Sequence, residues 1–156
     1  MSAIFDHIRP LLQDGRPRET ALAEVLRATL EQLQSETGTI HRLDSQTQLL
    51  QLVAQAGLPP QMLDIVKTIP VGKGIAGQTA AQDKPVTICN LQTDAGGVAR
   101  PGAKQTGVGG ALCVPVHHDG KLVGTLGIGT RREHEYTPEE TRELELIAGI
   151  IGAHLC

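Results

Sequence analysis

Residues 110–129 read GALCVPVHHDGKLVGTLGIG. Two apolar runs flank Asp119-Gly120, and Asp-Gly supplies the positive φ angles that a two-residue hairpin turn requires. The stretch is therefore read as a β-hairpin. Both runs are apolar almost throughout instead of alternating cleanly, which predicts a central position in a sheet covered on both faces. The rest of the chain must supply neighbouring strands and covering helices.

Bulk properties narrow the classes. A chain of 156 residues fits one domain, large enough to bury a core without disulfide staples. Phe5 and Tyr136 are the only aromatic residues, so the core must be aliphatic and base stacking on aromatic platforms is disfavoured. A net charge of −3 without a basic cluster lacks the electrostatic footprint of a nucleic-acid or anionic-membrane binder. No run approaches the ~18 apolar residues of a membrane span, and Met1 to Pro10 lacks an apolar signal core. Cys89, Cys113 and Cys156 are odd in number and have no CxxC spacing, which suits reduced thiols. A cytoplasmic protein is expected.

In chain order, Ile4, Ile8, Leu11 and Leu12 mark a short helix that breaks at Asp14-Gly15-Arg16-Pro17. A longer helix is expected from Pro17 to Ser35, with Leu22, Val25, Leu26, Thr29 and Leu33 on one side. After Gly38, residues Thr39–Leu43 and Leu49–Ala54 read as a second hairpin, and Gln61–Lys67 as a short helix after Pro59-Pro60. Gly72 to Gln82 forms a glycine-punctuated start to a helix of small residues, followed by a brief strand, Val86–Cys89. Asn90 to Gly109 contains five glycines and one proline and reads as a long loop, the usual form of a lid or binding segment. Thr137-Pro138-Glu139-Glu140 combines a capping hydroxyl, an N1 proline and an N3 glutamate, and so starts a last helix striped with Leu144, Ile147, Ala148, Ile151 and Leu155. Together these elements predict an α+β domain built on an antiparallel sheet.

Candidate chemistry is sparse. Gly72-x-Gly74-x-x-Gly77 matches the dinucleotide fingerprint formally, with Asp94 about 20 residues on, but the preceding Ile69-Pro70-Val71 does not sit in a parallel βαβ unit. A glycine turn that brings the helix close to the sheet explains it better. His117 and His118 are adjacent on a strand and point to opposite faces, and His41, His134 and His154 make no ligand spacing, so no metal site is expected. Ser2, Ser35 and Ser45 form no nucleophile elbow, and no catalytic residue is assigned. Cys113 and Cys89 read as small apolar fillers, with thiol sensing as the sharper alternative near Lys84, Arg100 and Lys104. Asp94, Arg100, Lys104 and Gln105 give the 90–109 loop the few polar groups that a small-ligand site needs. The competing reading is a loop made polar by solvation alone.

Two segments resemble the GAF domain family, a sensory fold related to PAS. Ile69–Ile88, IPVGKGIAGQTAAQDKPVTI, is similar to the family's glycine turn, helix and strand. Gly107–Thr137 is similar to its hairpin and final helix cap. The resemblance implies a five- or six-stranded antiparallel sheet, terminal helices on one face, and a ligand pocket under the Gly74–Gln82 helix and the 90–109 loop. The whole of 1–156 is then one domain, with a short helix and linker over 1–16 and a core over 17–156. Ligand contacts are expected from Cys89, Asn90, Asp94, Arg100, Lys104, Gln105 and Cys113. The free-methionine sulfoxide reductases of this fold carry cysteines in the glycine turn and the long loop, whereas Ile75-Ala76 and residues 91–109 have none. The Cys-His pair of bilin-binding members is absent at Cys89-Asn90 and Cys113-Val114, and the cyclic-nucleotide signature finds no counterpart.

The expected role is a non-enzymatic sensory domain that binds an unidentified small molecule and signals through its terminal helices as a homodimer, to an output domain or partner protein. Leu30, Ile150 and the Ile4–Leu12 helix lie off the main stripes and are expected to supply the dimer's apolar surface. The alternatives are a redox enzyme using Cys89 or Cys113, and a ligand-free dimerisation module. No cofactor is identified.

Overall fold

A computed structural model describes residues 3–13, 15, 17–88 and 109–155. Helices α1 (Ala3–Gln13) and α2 (Arg18–Gln32) lead into strands β1 (Thr37–Asp44) and β2 (Leu49–Ala56). A 3₁₀ turn (Pro60–Met62), α3 (Leu63–Val66), β3 (Thr68–Pro70), α4 (Gly74–Gln82) and β4 (Val86–Ile88) follow. Strands β5 (Ala111–His118) and β6 (Lys121–Gly129) precede α5 (Pro138–Ile151) and a 3₁₀ turn (Gly152–His154). Among the described residues the strands form one sheet in the order β3-β2-β1-β6-β5-β4, and every neighbouring pair is antiparallel. The α+β reading with an antiparallel sheet holds, and β6 lies at its centre, as the apolar hairpin required.

Local chemistry accounts for the elements. Asp119 and Gly120 take φ of 52° and 77°, the left-handed pair of a type I′ turn, so β5 and β6 pair directly. The Thr137 hydroxyl accepts from the Glu140 amide at 3.1 Å while the Glu140 carboxylate accepts from the Thr137 amide at 2.9 Å, closing the expected capping box. Helix α2 stops three residues before Ser35. Gln34 turns left-handed at φ 51° and the Ser35 amide donates to the Leu30 carbonyl, a C-terminal closure made without glycine. Gly38, read as a helix stop, lies inside β1, where a Cβ would come within 2.7 Å of Leu26 and 3.1 Å of Leu30. The missing side chain lets α2 sit close on the sheet. The helix expected over 61–67 is shorter, a 3₁₀ turn running into α3.

One face of the sheet carries the main core. Ile40, Leu112, Val114, Val116, Leu126 and Ile128 pack against Leu22, Val25 and Leu26 of α2 and Leu144, Ile147 and Ile151 of α5. Each fully buried aliphatic side chain contributes about 2 kcal/mol of burial free energy, so this layer holds the fold. Leu30 and Ile8, expected to remain free for a partner, are taken up by this core, Leu30 because Gly38 leaves it room. Leu146 is the exposed large apolar residue among those described. The opposite face is covered by α3 and α4, with Leu50, Ile69, Ala76, Ala80 and Cys113 forming a smaller cluster.

Candidate functional site

Alternation along the central strands decides what that second face presents. Where β5 sends Leu112, Val114 and Val116 toward the helices, it sends Ala111 and Cys113 the other way. Where β6 sends Leu126 and Ile128 toward the helices, it sends Gly127 and Gly129 the other way. Strand β1 contributes Thr37, Thr39 and His41. Small residues leave the floor low, and a cavity of about 130 Å³ opens above it. Leu58, Ile65, Val66, Ile69, Ile75 and Ala76 form the apolar roof and walls.

The glycine turn sets the position of the roof. Gly72 and Gly74 take φ of 95° and 65°, and a Cβ on Gly77 would stand 2.5 Å from the Pro70 carbonyl oxygen. Only a glycine at 77 lets α4 approach β3 this closely. Strand β3 is antiparallel to β2, so the setting lacks the parallel βαβ unit of a dinucleotide fingerprint, and the glycines act as a packing turn. At the far end of α4, Asp83 is left-handed and its carboxylate meets His117 Nε2 at 2.6 Å, joining the roof to the hairpin tip.

His41 is the one buried titratable side chain in the described wall besides Cys113. Its Nε2 lies 2.8 Å from the Val66 carbonyl oxygen, which can only accept, so Nε2 carries the proton and donates. Burial lowers its pKa to about 4, against the smaller upward pull of that bond, and the ring is neutral at pH 7. Nδ1 is then a bare acceptor, buried without a partner. Thr125, the residue of β6 that pairs with His41, is fully buried, and its Oγ1 makes no well-formed hydrogen bond. Burial pushes the Cys113 thiol up to about 11, with Thr79 and Thr125 opposing weakly, so Cys113 stands in the wall as a neutral, apolar-like group.

Of the residues expected to touch a ligand, Cys113 lines the cavity. Cys89, Asn90, Asp94, Arg100, Lys104 and Gln105 lie outside the described residues. The reading of the sequence missed Thr37, Thr39, His41 and Gly127. The signal for them was an alternation of side-chain size, not polarity, along 111–129, and the in-facing Thr37-x-Thr39-x-His41 of β1. Among the described residues no group of three His, Cys, Asp or Glu side chains could hold a metal ion, and no helix is long and apolar enough to cross a membrane.

The comparisons agree with this architecture. The chain belongs to the GAF domain family, whose model matches residues 15–155. No curated protein matches it. Among solved structures, the GAF domain of a phosphoenolpyruvate-protein phosphotransferase (ptsP) from Coxiella burnetii superposes with a TM-score of 0.82 at 21% identity, covering 97% of this chain and 90% of that one. A free methionine-R-sulfoxide reductase from Neisseria meningitidis, in complex with its substrate, gives 0.79 at 18%, covering 97% and 86%. The A. aeolicus nlh2 GAF domain in an inactive state gives 0.78 at 18%, covering 97% and 92%. At these identities the likeness is one of fold.

Proposed function

We propose that the chain is a non-enzymatic sensory domain that holds a small molecule in the cavity between α3, α4 and the floor of β1, β6 and β5. The cavity itself carries this reading: an apolar recess with a few polar groups on one edge is the form that small-molecule sites take. A ligand there touches α4 above and the central strands below, and the opposite face of those strands bears α2 and α5. Ligand binding biases the packing of the terminal helices, which pass the change to a second copy of the chain and to an output domain or partner protein.

The non-enzymatic half of the proposal draws on the thiol. A cysteine nucleophile works as the thiolate, and burial holds Cys113 protonated at neutral pH.

Native mass spectrometry of the purified chain and of Gly127→Val tests the reading. The expected result is a dimer carrying a reproducible extra mass that the variant lacks, since the branched side chain of a valine at 127 would take up space on the cavity floor. A bare dimer would make the chain a structural dimerisation module, and a bare monomer would overturn signalling through a helical interface.

A further inference from the structure

The lining of the cavity is divided by chemistry. Thr37, Thr39 and His41 are successive in-facing residues of β1 and form one polar edge. The rest of the described lining is apolar: the aliphatic side chains of Ile65, Val66, Ile69 and Ile75, with Gly127, Gly129 and the neutral thiol of Cys113 in the floor. Among the described lining residues none carries a formal charge at pH 7. An ion entering such a wall loses its hydration without an opposite charge to replace it, a cost of several kcal/mol. A neutral group that can hydrogen-bond suffers no such loss if it reaches the polar edge.

Size narrows the class further. A cavity of ~150 Å³ lined by aliphatic residues is known to admit benzene, and this one measures about 130 Å³. We infer that the cavity takes an uncharged, largely apolar molecule the size of a single small ring, held at its one polar group by the Thr37 and Thr39 hydroxyls on the edge of β1. The inference rests on the ligand-binding reading above and specifies what is bound. The threonine hydroxyls can donate or accept, while His41, with Nε2 committed to Val66 and Nδ1 buried below the surface, adds a neutral ring to the wall. The edge therefore suits a hydroxyl, N–H or carbonyl group on the ligand.

Four probes of one scaffold test this by calorimetric or amide-shift titration of the whole chain: phenol, toluene, benzoate and benzylamine. Phenol is expected to bind at least tenfold more tightly than either ion. The Thr37→Val/Thr39→Val variant keeps the shape and strand preference of both residues. It is expected to weaken phenol about fivefold relative to toluene, the share of one net hydrogen bond. The wild-type series stands by itself should that variant not fold. Binding of benzoate or benzylamine as tight as that of phenol would overturn the neutral-ligand class and leave the pocket reading intact. Equal losses of phenol and toluene in the variant would remove the threonines from recognition. Failure of all four to bind would overturn this inference, while an extra mass on the native dimer would still uphold the ligand-binding reading.

Discussion

The two faces of the central sheet are made by the same strands and do opposite things. Toward the helices, β5 and β6 present Leu112, Val114, Val116, Leu126 and Ile128, branched side chains that pack against α2 and α5 in one continuous core. Toward α4 they present Ala111, Cys113, Gly127 and Gly129, which are too short to reach the roof. Close packing contributes most where large side chains meet, so the helix face supplies stability. The other face forgoes part of that contribution and gains a recess. A domain of this size tolerates an unfilled region on one side of its sheet only because the other side is so fully packed.

The strongest way to break that contrast is to hollow out the packed face. Leu26 is fully buried and sits against Gly38. Leu26→Ala is expected to cost about 3 kcal/mol of unfolding free energy, measured by urea denaturation at pH 7.5. Below the transition the variant should still bind phenol. A cost under about 1 kcal/mol would show that the helix face is no better packed than the cavity face.

A second test turns on pH and isolates the cavity side. His41 has a folded pKa of about 4 against 6.5 for the unfolded chain, so the unfolded state binds the extra proton between those values. Stability is then full above pH 6.5 and falls as pH drops toward 4. Between pH 7.5 and 4.5 this one group should remove about 2–3 kcal/mol. His41→Gln lacks the titration, and its stability should decline less over the same interval by that amount. Equal slopes for the two proteins would mean that His41 is protonated at little cost and that the wall is wetter than its burial implies.

Much of the fold could be read from short-range chemistry. Asp119-Gly120 named the hairpin, and Thr137-Pro138-Glu139-Glu140 named the last helix, because turn and cap geometry depend on a few neighbouring residues. Gly38 and Gly77 show where that reading thins. Each reads locally as punctuation, yet the reason for each is a long-range contact, with Leu26 and Leu30 in one case and the Pro70 carbonyl in the other. The site was less legible still. Cys113 was placed among its residues, but Thr37, Thr39 and His41 were not, since their convergence with Ile65 and Ile75 depends on the strand order and on a one-turn helix. The run Ala111–Val116 is uniform in polarity, and the alternation that opens the cavity is one of side-chain size.

Gly127 brings the comparison to a single atom. It lies mid-strand in β6, its φ is not left-handed, and a Cβ there would meet Thr39 Oγ1 at 3.4 Å and Cys113 Sγ at 3.5 Å, ordinary contacts that require no movement. Nothing in the backbone therefore demands glycine, and a glycine inside a strand costs about 0.5–1 kcal/mol relative to alanine through the entropy of the unfolded chain. Valine suits a strand and would extend two methyl groups into the recess. Gly127→Val is expected to raise stability by about 0.5 kcal/mol in urea denaturation while abolishing phenol binding in the same preparation. The smallest expected change in stability thus accompanies a complete loss of binding, the trade that an open site on a well-packed frame requires. Loss of stability together with loss of binding would show that the recess is already filled, and the difference between the two faces would reduce to one of residue size without consequence for ligands.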